Sequence, residues 1–117
     1  MTPLEMARAF FLETGRRGEF DAGGVQRTLD HLAEHHILIV SETGMIGGYV
    51  SPMWVTGEII AQEMFWWGDA SLMRKFEARA RELGATAIQM QCLTDRVAKH
   101  YERRGYRKMT TGYLKEF

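Results

Sequence analysis

A single glycine, Gly68, divides the middle of this chain between two incompatible hydrophobic periods. Upstream, Ile59, Ala61, Glu63, Phe65 and Trp67 fall on one side of a period-two element, with Ile60, Gln62, Met64 and Trp66 on the other. Both sides are largely apolar, so the strand is expected to be central in its sheet. Downstream, Leu72, Met73, Phe76, Ala80 and Leu83 line one helical face, and Arg74, Lys75, Glu77, Arg81 and Glu82 take the rest. Asp69 or Ser71 can cap the start of that helix, and Gly84 its end. From Ala85 to Leu93 the period returns to two, with Ile88, Met90 and Cys92 alternating with Ala87, Gln89 and Gln91. Strand, helix and strand in this order imply a parallel pair and an α/β fold.

The turn between strand and helix is also a chemical feature. A helix's first N–H groups lack internal partners and its dipole is positive there, which suits a phosphate. Any α/β connection has the same local form, so this segment alone leaves both readings open.

Around that unit the remaining elements fall into place. Thr2, Pro3 and Glu5 form a capping box with proline at the first helical position, and Leu4, Ala7 and Phe11 share a face up to about Thr14. Gly15, Gly18 and the arginine pair between them form a loop. Asp21 then caps a second helix with Val25, Leu29, Leu32 and Ala33 inward. A buried strand from Ile37 to Val40 turns at Glu42-Thr43-Gly44 into a hairpin partner, Met45 to Val50, that Pro52 ends. After the parallel pair, Thr94 or Asp95 caps a short helix with Val97, Ala98 and Tyr101 inward, closed by Gly105. Tyr106 to Met109 and Thr111 to Phe117 read as two closing strands joined near Thr110.

Composition narrows the function classes. At 117 residues the chain fits one domain spanning 1–117. Fifteen basic and fifteen acidic residues cancel, which argues against nucleic acid or an anionic membrane as partner. Its one cysteine, Cys92, has no internal disulfide partner, and no leader-like segment opens the sequence, so a soluble, cytoplasmic protein is expected.

The segment Ala98-Lys99-His100-Tyr101-Glu102-Arg103-Arg104-Gly105-Tyr106, together with the order of elements, resembles the GNAT superfamily of acyl-CoA-dependent N-acetyltransferases. In that family a tyrosine-acid-basic-x-Gly-aromatic motif ends the helix after the parallel pair. The resemblance implies a twisted mixed sheet, mostly antiparallel with one splayed parallel pair, and helices on both faces. The usual first strand is missing, because Met1 to Thr14 reads as helix. It implies acetyl-CoA as co-substrate, with Phe65, Trp66 and Trp67 offering main-chain groups to its pantetheine arm and Gly68, Asp69, Ala70 and Ser71 meeting its pyrophosphate. This turn is shorter than the family's Arg/Gln-x-x-Gly-x-Gly/Ala loop and contains an acid, Asp69.

Acetyl transfer to an amine needs a base for the amine, donors for the oxyanion and an acid for the departing thiolate, and no metal. Tyr101 matches the family's thiolate-protonating tyrosine, the plain alternative being a core tyrosine that anchors its helix. Glu63, the one acid inside the central strand, is the candidate base, with Glu58 in reserve; an apolar strand raises a carboxylate's pKa. The alternative for Glu63 is a partly solvated sheet face with a basic partner. Of the seven basic residues from Arg96 to Lys115, Lys99 and Arg103 are the candidates for cofactor phosphates, the others solvating their elements. His31-Leu32-Ala33-Glu34-His35 has the H-x-x-E-H order of one zinc-peptidase class but lacks that class's further acidic ligand. Cys92 reads as a packed thiol.

Two functions follow from different classes. One is an N-acetyltransferase acting on a small-molecule or protein amine. The other is a degenerate GNAT-like domain serving as a protein-binding module, with Trp54, Trp66 and Trp67 as interface residues. The missing first strand and the tryptophans favour a homodimer in either case.

Overall fold

A computed structural model describes residues 1–91, 95–109 and 112–117. The chain starts with two helices, α1 (Pro3–Thr14) and α2 (Ala22–His35). Thr2 and Glu5 cap α1 reciprocally, Thr2 Oγ1 accepting from the Glu5 amide at 3.1 Å and Glu5 Oε1 from the Thr2 amide at 2.9 Å. Asp21 caps α2 by accepting from the Gly24 N–H at 3.1 Å. Leu29 and Leu32 are buried under α2. Ala33 is exposed, not inward, because one further residue turns it about 100° away from Leu32.

Four strands follow, β1 (Ile37–Ser41), β2 (Gly44–Pro52), β3 (Ile59–Gly68) and β4 (Ala87–Gln89), in the order β1-β2-β3-β4. The first two pairings are antiparallel and β3 with β4 is parallel. The crossover is α3 (Leu72–Glu82), and α4 (Asp95–Arg103) follows β4. On one face of the sheet, Leu72, Phe76 and Ala80 of α3 pack on Ile37, Ile46 and Ala61. On the other, Met6, Leu29 and Leu32 of α1 and α2 pack on Met45 and Phe65. This is the mixed sheet with helices on both faces, beginning without a strand ahead of α1.

Strict alternation along β3 fails at its midpoint. Gly47 pairs with Phe65 and Gly48 with Glu63, so Met64 is an extra residue, a β-bulge. Ala61 therefore packs in the α3 layer, whereas Phe65 and Trp67 pack on the opposite side and Trp66 joins Ala61. A Cβ on Gly48 would strike the Gln62 carbonyl, which is why glycine stands opposite the bulge.

The sheet also stops earlier than the periodicity implies. β4 covers three residues rather than Ala85 to Leu93, and Tyr106–Met109 and 112–117 form no strand. A strand needs a ladder partner, and so short a β4 offers little edge to template one. Tyr106 is instead held by its hydroxyl, which donates to Glu77 Oε2 at 3.2 Å, and Glu116 pairs with Arg17 at 3.5 Å. Cys92, Leu93, Thr94, Thr110 and Thr111, which carried the expected packed thiol, one helix cap and the last turn, lie outside the described residues.

Candidate active site

The ladder between β3 and β4 has three rungs, Ile60 with Ala87, Ala61 with Ile88 and Gln62 with Gln89. At the last of them the Gln62 side-chain amide donates to Gln89 Oε1 at 2.8 Å. β3 then continues to Gly68, paired with β2 on one side and with no strand on its β4 side among the described residues. Where the backbone pairing ends, a side chain takes over: Glu63 Oε2 accepts from the Gln91 N–H at 3.1 Å. The carbonyl of the same residue, Gln91, accepts a hydrogen bond of 2.8 Å from the Tyr101 hydroxyl.

These groups share a cavity of about 70 Å³ walled by Phe10, Met64, Trp66 and Val97, with Arg16, Glu63 and Tyr101 as its charged and hydroxyl side chains. Glu63 is 6% exposed. Burial raises its pKa to about 7, against the lowering effects of the Gln91 N–H and the charge of Arg16. A carboxylate so placed exchanges protons near neutral pH. The alternative of a solvated Glu63 does not hold. Tyr101, also 6% exposed, stacks on Trp66 with centroids 6.1 Å apart, and His100 packs on the same indole at 5.7 Å. The rest of the tyrosine motif fixes α4: Arg104 pairs with Glu77 of α3, and the Tyr106 ring lies 5.6 Å from Tyr101.

At the end of β3, Gly68 takes φ +83°, and a Cβ there would strike the Thr43 carbonyl. Asp69 Oδ1 accepts from the Ser71 N–H at 2.9 Å and from the Ser71 hydroxyl at 2.7 Å, which holds its carboxyl below the usual range. Ser71 makes no side-chain cap of its own. The Asp69 carbonyl accepts from the Trp66 indole N–H at 3.0 Å and the Leu72 N–H at 3.3 Å. The turn therefore satisfies with its own groups two of the amides, Ser71 and Leu72, that a phosphate would use.

Thus Glu63, Trp66 and Tyr101 are brought together, and the other candidates are placed apart from them. Phe65 is buried against α1 and α2, and the Trp67 indole donates to Glu13 Oε2 at 2.9 Å. Ala70 is exposed. Lys99 and Arg103 are exposed on α4 and form no ion pair among the described residues. Glu58 is at the opposite end of β3, where it accepts from the Thr86 hydroxyl. His31 and His35 lie 5.0 Å apart by ring centroid, and His36 Nδ1 accepts from the Val50 N–H at 3.1 Å. Among the described residues no three or more His, Cys, Asp or Glu side chains are grouped to hold a metal. Nor is any helix among them long and apolar enough to cross a membrane. Arg16, Phe10 and Gln91 were not singled out from the sequence; the one signal was the arginine pair set between Gly15 and Gly18.

No protein-family profile matches the sequence, and no curated protein does. Solved structures do match. An acetyltransferase from Trypanosoma brucei superposes with a TM-score of 0.70 at 11% identity, covering 97% of this chain and 92% of that one. Glucosamine-6-phosphate N-acetyltransferase from Arabidopsis thaliana gives 0.66 at 11% identity, covering 99% and 95%. A transcriptional regulator from Bacillus halodurans gives 0.70 at 17% identity, covering 100% and 96%. The fold is that of the GNAT acetyltransferases.

Proposed function

We propose that the chain is an N-acetyltransferase that moves the acetyl group of acetyl-CoA to a primary amine by direct attack. The observation that carries this reading is the end of the β3–β4 ladder at Gln62, with Glu63 and Tyr101 bound to the backbone N–H and carbonyl of one residue, Gln91, beside it. The open edge of β3 from Glu63 to Gly68 supplies backbone groups for an extended pantetheine arm, a fit that Phe65, Trp66 and Trp67 share through their main chains. Fewer groups are offered to the pyrophosphate, given the self-bonded turn from Gly68 through Asp69 and Ala70 to Ser71; Lys99 and Arg103 are the exposed cations proposed to supplement it.

When bound, acetyl-CoA supplies the activated acetyl thioester. Glu63, ionised in about half the molecules near pH 7, takes the proton that the amine loses as its nitrogen bonds the acetyl carbon. Tyr101 gives its phenolic proton to the sulfur as the carbon–sulfur bond breaks, and is reprotonated at the expense of the proton on Glu63. The products are an N-acetyl amide and a thiol, with no net change in protons between an uncharged amine and these products. Phe10, Met64, Trp66 and Val97 give the cavity apolar walls, which lessen solvent screening of both proton transfers.

The test is thermal unfolding with and without acetyl-CoA, followed by thiol release with amines. A ligand at a hundred times its dissociation constant adds about 2.7 kcal/mol. A second reading, the protein-binding module, is favoured by the self-bonded turn and by Trp54, which is 94% exposed. An unchanged melting temperature would select it. We further propose a cytoplasmic homodimer: among the described residues β1 and β4 are open sheet edges, and Tyr113, Leu114 and Phe117 are exposed. Light scattering that finds a monomer at high micromolar concentration disproves the dimer.

A further inference from the structure

Arg16 is a cation in the cavity wall whose charge nothing in the described chain neutralises by contact. It follows Gly15, the φ +59° residue that ends α1, and its guanidinium lies over the Phe10 ring at 5.5 Å from the centroid. Its neighbour Arg17 reaches a carboxylate, Glu116, at 3.5 Å. Arg16 forms no such pair among the described residues, yet it lines the cavity that holds Glu63 and Tyr101. With Glu63 it forms no ion pair, although its charge reaches that carboxylate and lowers its pKa. The cavity therefore presents a proton acceptor for an amine and, separately, a guanidinium fork suited to an oxyanion. A neutral amine or a polyamine would leave that fork unmatched or repel it.

Resting on the acetyltransferase reading, we infer that the acceptor is a small primary amine that also carries an anionic group, with Arg16 binding the anion while the amine reaches Glu63. Because Arg16 and Glu63 line one cavity of about 70 Å³, a short spacer between the two groups is part of the inference. A carboxylate and a phosphate meet the guanidinium with the same geometry, so the two sources are separated by experiment.

Thiol release from acetyl-CoA is measured for wild type and Arg16→Gln with two pairs of probes, β-alanine against β-alaninamide and phosphoethanolamine against ethanolamine. The expected result is that wild type prefers the anionic member of at least one pair by about tenfold or more in kcat/KM, chiefly through KM, since an exposed guanidinium contact of this kind is made equally in ground and transition states. The pair that shows it identifies the anion. In Arg16→Gln the ratio within that pair should fall to near one. A ratio near one in wild type overturns the inference. So does a ratio that survives in Arg16→Gln, or equal losses on both members of each pair, which would make Arg16 only a remote counter-charge for Glu63. If no probe is turned over while acetyl-CoA still raises the melting temperature, the acceptor class is wrong and the transferase reading stands. No response to acetyl-CoA at all sinks both.

Discussion

Glu63 and Tyr101 are joined through the backbone of one residue, the Gln91 N–H donating to Glu63 Oε2 at 3.1 Å and the Gln91 carbonyl accepting from the Tyr101 hydroxyl at 2.8 Å. The two groups belong to successive peptide units on either side of the Gln91 Cα, so the link fixes the spacing of carboxylate and phenol. The Gln91 side chain is not part of the link. Substitutions there, other than proline, leave the donor and the acceptor in place.

Glu63→Gln is expected to raise stability while lowering activity. With a folded pKa of about 7 against an ordinary 4.5, the unfolded chain loses its proton first as pH rises. Stability is therefore lost between these two values and stays lost above them, by an amount on the order of 3 kcal/mol. The glutamine removes that cost and still accepts from the Gln91 N–H. It should melt above wild type at pH 8 and coincide with it at pH 4, and its rate deficit should shrink as alkaline pH deprotonates the amine unaided. A Glu63→Gln protein melting below wild type at pH 8 would contradict the burial argument.

Tyr101→Phe keeps the ring that stacks on Trp66 and removes only the hydroxyl. Turnover should fall about a hundredfold with KM nearly unchanged, because the departing sulfur needs the proton and the bound thioester does not. The lost bond to the Gln91 carbonyl should cost about 1 kcal/mol in thermal unfolding. Normal turnover in this variant would make Tyr101 a packing residue.

Gly68→Ala and Gly84→Ala form a matched pair. Both glycines have φ near +85°, with values of +83° and +89°, but a Cβ at Gly84 meets nothing within 4 Å whereas one at Gly68 strikes the Thr43 carbonyl. Gly84→Ala should cost about 1–2 kcal/mol from backbone strain alone. Gly68→Ala should cost more, and by disturbing the end of β3 it should also weaken acetyl-CoA binding. Equal losses in denaturant unfolding would show that the hairpin turn at Thr43 yields.

The elements visible in the sequence were those whose signals are local. Thr2 and Glu5 fix the start of α1 within one turn, and the stripe of Leu72, Phe76 and Ala80 fixes the face of α3. The bulge at Met64 left no such trace, because it depends on which β2 residue lies opposite. The expected strands after Gly105 depended on a neighbouring edge long enough to pair with, and β4 is only three residues long. At the site, Glu63 was legible as the lone acid in an apolar strand. Arg16 was not, since a loop arginine gains meaning only when Phe10 and Glu63 are brought beside it.

The extra residue in β3 makes that strand behave like a reading frame. Replacing Met64 alters one side chain. Deleting it would restore simple alternation and leave Glu63 opposite Gly48 and Phe65 opposite Gly47, with Phe65 and Trp67 still facing α1 and α2 and Trp66 still on the side of Ala61, whereas straightening the strand with Met64 retained would exchange those faces. The bulge is therefore a spacer that sets the sides of the aromatic residues, and deletion of Met64 alone should keep Trp66 against Tyr101 and cost little more than a substitution there.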